Sequence, residues 1–235
     1  MKKYFIGLLV FVLCITLVGC GKKENKDETE DNLVGGWKIK LTDKQVGMSE
    51  EVLDLFKEAA QDYSDLKLDP VILLGEQVVA GRNYMYLAKG YKDDSANAKY
   101  KVVIIYKDLQ NKVSITSVKD FVITDYAGVE SPKKYAEAVG AWNVNGTGKA
   151  LVLEEEKVQT AFEKATAKID TMVFNPICVL AEQVVSGTNY AVLTYAKGTN
   201  EDVDTSIYVA TLYEDLQGNA EITYLAYLNL ADFNK

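Results

Sequence analysis

The sequence predicts an α+β protein built from two tandem copies of one unit, each a single helix packed on a four- to five-stranded antiparallel sheet. Three observations predict it. First, one short stretch occurs twice. Gln77-Val78-Val79-Ala80-Gly81 runs into Arg82-Asn83-Tyr84, and Gln183-Val184-Val185-Ser186-Gly187 runs into Thr188-Asn189-Tyr190, 106 positions later (183 − 77). That offset is the size of a small domain, and 235 residues hold two of them. Second, each copy carries one segment with helical apolar spacing. Third, that segment is followed each time by apolar runs broken by turn residues, the pattern of strands joined by hairpins.

In the first copy, Trp37, Ile39 and Leu41 alternate with Lys38 and Lys40, which predicts a half-buried strand. The adjacent Gly35 and Gly36 give the chain before it freedom to bend. Ser49 is the expected helix N-cap, with Glu50 and Glu51 in the first turn where they suit the helix dipole. Val52, Leu55, Phe56, Ala59 and Tyr63 then form one apolar face, with Asp54, Lys57 and Glu58 opposite. Pro70 to Val79 reads as a strand, Gly81 as the close of a hairpin, and Tyr84 to Leu87 as the returning strand. Tyr100 to Tyr106 and Val113 to Ile123 read as the last two strands, around Asp108-Leu109-Gln110-Asn111.

The second copy repeats each element. Gly140-Ala141-Trp142-Asn143-Val144 restates Gly35-Gly36-Trp37-Lys38-Ile39, and Val158, Ala161, Phe162, Ala165 and Ile169 restate the helix face. Pro176 stands six residues before Glu182, as Pro70 does before Glu76. Asp215-Leu216-Gln217-Gly218-Asn219 restates the later turn. The resulting organisation is a first repeat at 33–126, a linker at 127–138 and a second repeat at 139–235.

Residues 1–20 read as a processing signal. Met1-Lys2-Lys3 is a basic start, Tyr4 to Val18 is apolar, and Leu17-Val18-Gly19-Cys20 fits the lipobox of bacterial lipoproteins. The thiol of Cys20 would take the lipid, each buried methylene contributing on the order of 0.8 kcal/mol to membrane binding. An ordinary secretory signal or an uncleaved membrane helix are the alternatives; the run is short for a span. Residues 21–32 are charged and nearly free of apolar side chains, which predicts a flexible tether reaching roughly 40 Å. The expected location is the outer face of the bacterial cell membrane.

Composition excludes several classes. The net charge is −8 and Arg82 is the sole arginine, which argues against nucleic-acid binding. The chain has no histidine, which removes imidazole bases, histidine-assisted nucleophiles and the commonest zinc ligand. Of three cysteines, only Cys178 lies in the folded part, among apolar neighbours that predict a buried, inert thiol. No catalytic constellation, metal-ligand spacing or cofactor motif is expected, and the chain reads as a non-enzyme without cofactors.

At these residues the chain resembles the cystatins, inhibitors of papain-like cysteine proteases. Gln77 to Gly81 and Gln183 to Gly187 fit the family's Gln-x-Val-x-Gly hairpin, and Leu33-Val34-Gly35-Gly36-Trp37 is similar to its leading glycine segment. The resemblance covers each repeat and implies tandem cystatin-like domains. It implies a wedge of three segments that fills a protease cleft. Gly35, Gly36 and Gly140 would belong to the leading strands. Gln77, Val78, Val79, Ala80 and Gly81, with Gln183, Val184, Val185, Ser186 and Gly187, would form the first hairpins. Leu109, Gln110, Leu216 and Gln217 would form the second. These last turns lack the Pro-Trp common in the family, and Ala141 replaces the second glycine, so the first repeat is expected to be the better inhibitor.

Two readings of function follow. One is an anchored inhibitor that binds papain-like cysteine proteases. The other is a non-inhibitory surface scaffold or protein-binding module, for which the pentapeptides are simply good hairpin turns.

Overall fold

The computed structural model describes residues 35–39, 48–128, 141–144, 155–200 and 205–234. Cys20 and its leader, the 21–32 tether, Leu33, Val34, Leu41, Gly140 and the linker beyond Gly128 lie outside the described residues. All described residues belong to one compact unit, Leu33–Lys235, the second of two into which the chain divides.

The first repeat runs β1 (Trp37–Ile39), α1 (Glu50–Gln61), β2 (Lys67–Val79), β3 (Gly81–Tyr91), β4 (Lys99–Lys107) and β5 (Val113–Asp120). The second runs β6 (Asn143–Val144), α2 (Glu156–Thr166), β7 (Met172–Val185), β8 (Gly187–Gly198), β9 (Ser206–Glu214) and β10 (Ala220–Tyr227). Each repeat makes one antiparallel five-stranded sheet in simple meander order, β1-β2-β3-β4-β5 and β6-β7-β8-β9-β10. Ser49 caps α1 by accepting the Val52 N–H. Pro70 and Pro176 each sit where the register shifts, at Pro70/Ile72 and Pro176/Cys178. A proline lacks the N–H a regular ladder needs, so a bulge is where a strand tolerates one.

The expected fold class, two tandem α+β cystatin-like domains each built as a helix on a sheet, needs correction. The protein is β-rich, with ten strands against two α-helices among the described residues. Beside a cluster under each helix, its centre is one layer shared by both repeats. Ile72, Leu74, Met85, Leu87, Val102 and Ile104 of the first sheet cluster with Ile177, Leu180, Ala191, Leu193, Ile207 and Val209 of the second. The physical reason is burial on both faces of the strands. Leu73, Tyr84, Tyr86, Val103 and Ile105 point the other way, under Leu55, Phe56 and Ala59 of α1. Val179, Tyr190, Val192 and Leu212 do the same under Val158, Ala161 and Phe162 of α2. Strands buried on both faces read as continuous apolar runs, as Val102 to Ile105 do here.

Polar bonds tie the layers together. The Tyr86 hydroxyl donates to the Val52 carbonyl at 2.9 Å, fixing α1 to β3. Between the repeats, the Tyr100 hydroxyl donates to the Val179 carbonyl at 3.1 Å, and Thr211 Oγ1 donates to the Ala127 carbonyl at 2.9 Å. Ala127, at the start of the segment assigned as linker, is itself fully buried in the shared core.

Candidate functional site

Meander order and register place three segments of the first repeat, and the two hairpins of the second, at one end of their sheet. In the first repeat, Val79 pairs with Gly81 at the tip of the β2–β3 hairpin, and Arg82 pairs with Lys107 at the end of β4. The Asp108–Lys112 turn therefore lies beside that tip. Trp37 pairs with Gln77, and the Gly35 N–H donates to the Val78 carbonyl at 3.1 Å, so the leading segment arrives at the same end. The second repeat has the matching tip at Val185–Gly187 and the matching turn after Glu214. Gly140 lies outside the described residues; β6 covers only Glu182 and Ala181 of β7.

The repeated stretch is explained largely by what holds this end in shape. Gln77 is nearly buried, and its Nε2 donates to the Gly35 carbonyl at 2.7 Å while its Oε1 accepts from Asn83 Nδ2 at 2.7 Å. One side chain thus braces the leading segment to both arms of the hairpin. Asn189 Nδ2 donates to Gln183 Oε1 at 2.6 Å in the second repeat. Gly81 and Gly187 have φ of 122° and 127°, in the region that favours glycine. A Cβ at Gly81 would meet the Lys107 carbonyl oxygen at 2.5 Å and the Tyr106 ring at 2.9 Å. Tyr84 and Tyr190 are buried under the helices.

The residues left over are the tips. Val78 and Val79 are half-buried and Ala80 is exposed, whereas Val184 is 62% exposed and Val185 38%. At the second turns Leu109 is 75% exposed and Leu216 79%, beside exposed Gln110 and Gln217. Gly35 and Gly36 are exposed, with Gly35 at φ 94°. The sequence favoured the first repeat, but the larger exposed aliphatic tip belongs to the second.

Two supports escaped the sequence reading. The Tyr106 hydroxyl donates to the Ala80 carbonyl, and Tyr213 does the same to Ser186, so a tyrosine ties the second hairpin to the tip of the first. Asp108 Oδ1 accepts the Gln110 and Lys112 N–H groups, and Asp215 Oδ1 those of Gln217 and Asn219. The shared pattern Tyr-x-Asp-Leu-Gln at Tyr106 and Tyr213 was the available signal. Hydrogen bonds from Asn219 and the turn amides hold the Asp215 carboxyl below the usual range.

Elsewhere, Cys178 is fully buried, and burial pushes its thiol up to about 12. It is protonated at neutral pH and is no nucleophile. Among the described residues, no group of three or more Cys, Asp and Glu side chains is placed to hold a metal, and no helix is long and apolar enough to cross a membrane.

No family model matches the chain, and no curated protein matches it.

Proposed function

We propose that this is an exported, lipid-anchored binding protein whose sheet ends, each a braced rim of turns, dock in a groove of a partner protein, with the cleft of a papain-like cysteine protease as the groove. The observation that carries this reading is the gathering of first and second hairpins at one end of each sheet, joined in the first repeat by the leading segment, with Leu109 exposed at the first rim and Val184, Val185 and Leu216 at the second. The glutamine–asparagine braces and the tyrosine ties pre-order the rims, so docking loses little loop entropy.

Magnitudes set the expected strength. Fully burying an exposed valine or leucine contributes about 1.5–3 kcal/mol. Three such side chains at the second rim, already partly covered, contribute on the order of 4–6 kcal/mol by the same rule. Nanomolar affinity needs about 12 kcal/mol after association costs. With no aromatic anchor at the tips, these side chains fall short even of the about 8 kcal/mol of micromolar binding, so micromolar affinity requires backbone and polar contacts of the rim to supply the rest.

A second reading, a surface module that binds a protein other than a protease, is favoured by the structural duties of Gln77, Asn83 and Gly81. Those duties account for the repeated stretch without any cleft.

The test is inhibition of papain by the unit from Leu33 onward, followed by hydrolysis of a peptide substrate. Inhibition at micromolar or lower concentration, lost in Val184→Asp/Val185→Asp, supports the protease reading. Full activity of several papain-like proteases at a large excess of the unit rejects it in favour of the second.

A further inference from the structure

We infer that the turn Leu230–Asn234 of the second repeat is a positioning element for the leading strand of the first rim. Among the described residues, strand β1 covers three positions at the edge of its sheet, with β2 as its one strand neighbour. So short an edge strand has little stability of its own. The turn supplies what is missing. The Trp37 indole N–H donates to Asn234 Oδ1 at 2.9 Å. Leu230 and Phe233 are buried in the shared core, against which Trp37 and Ile39 pack. Lys119 Nζ donates to the Phe233 carbonyl at 2.9 Å, and Phe233 stacks 6.4 Å from Phe121, so Phe233 also seats the turn on the first repeat.

Gly75 shows how closely the turn is fitted. It pairs with Ile39, and a Cβ there would lie 2.9 Å from Leu230 Cδ1 and 2.8 Å from the Lys38 carbonyl oxygen. Among the described residues, the second repeat lacks the indole hydrogen bond. Ala181 stands in its ladder where Gly75 stands in the first, and the buried Trp142 Nε1 has no hydrogen-bond partner among the described residues. Among the described residues, the indole hydrogen bond is made on one side alone, by the second repeat to the leading strand of the first. Its value for binding rests on the rim reading above; the positioning itself does not.

The experiment uses the full chain with Trp142→Phe, which leaves Trp37 as the one tryptophan. Asn234 is exposed, so Asn234→Ala tests the contact without emptying the core. The expected result is about a fivefold rise in hydrogen exchange over residues 35–39, the scale of one lost hydrogen bond. Acrylamide quenching of Trp37 rises with it. Exchange over Val184–Gly187 stays unchanged, and Asn234→Asp, which keeps the acceptor, restores the original values. Leu230→Ala, which removes packing and not the hydrogen bond, loosens the same segment. Unchanged exchange and quenching in both Asn234→Ala and Leu230→Ala overturn the inference, as does loosening spread equally over both rims. A Trp37 that loosens in a protein inhibiting no protease keeps the positioning and sinks only the protease reading.

Discussion

Replacing Gly187 with alanine isolates the reason a glycine closes each first hairpin. The backbone there has φ 127°, and holding a non-glycine residue in so sparsely populated a region costs on the order of 1–3 kcal/mol. Space is the second cost. A new Cβ would run into the Glu214 carbonyl oxygen and approach the Tyr213 ring at 2.9 Å. Since the carbonyl belongs to the neighbouring strand, relief requires backbone movement, and overpacking of this kind costs about 1–3 kcal/mol more. The sum is about 2–6 kcal/mol by these two rules. Gly218→Ala and Gly35→Ala are the controls. Both positions have positive φ, 77° and 94°, but the nearest atom to a Cβ at Gly218 is Lys164 Nζ at 3.6 Å, and at Gly35 nothing lies within 4 Å. Each should cost about 1–2 kcal/mol, the conformational part alone. Urea denaturation, compared by midpoint at constant m-value, reads the difference. A Gly187→Ala cost no greater than that of Gly218→Ala would refute the claim that strand β9 closes the space around the tip.

Gln77→Ala strands the Asn83 amide and frees the Gly35 carbonyl, and should destabilise by about 1–3 kcal/mol, measured by thermal or urea unfolding. The pair of substitutions Leu109→Asp and Leu216→Asp should change stability by no more than about 0.5 kcal/mol in the same assay, since both side chains are largely exposed. Cys178 should resist alkylation at pH 8 in the native protein and react once urea unfolds it; modification at equal rates in both states would contradict its burial. Asp215 has a folded pKa below its ordinary value. Its contribution is therefore present above the unfolded carboxylate pKa and is lost as pH falls through the folded one. Amide shifts of Gln217 and Asn219, followed by NMR, should titrate with a midpoint below that of a free aspartate.

The elements were legible because their signals are local. Ser49 followed by Glu50 and Glu51 announces α1, and the spacing from Val52 to Ala59 announces its buried face. The doubled turn segments announced the hairpins, and their register then followed from tight connections. The arrangement of layers was not read, though a trace of it stood in the sequence. Tyr84 to Ala88 is apolar without a break, and so is Val102 to Ile105. A sheet wetted on one side would alternate there. The helix covers one face alone, and the partner of the other face stands about a hundred residues away, where no local pattern points to it. The rim was half legible. Gly81 reads as the close of a hairpin from the sequence, but the ties from Tyr106 and Tyr213 join residues 26 or 27 positions apart, and the doubled Tyr-x-Asp-Leu-Gln pattern does not name the partner.

The layer between the sheets bears on how such a chain arises. Cut free, either half would present Ile72, Met85 and Val102, or their counterparts Cys178, Ala191 and Val209, to water. An oily slab of that kind finds its own copy. A lone half should therefore be found as a symmetric dimer or not stay dissolved, and the present chain holds in one polypeptide the two members of such a pair.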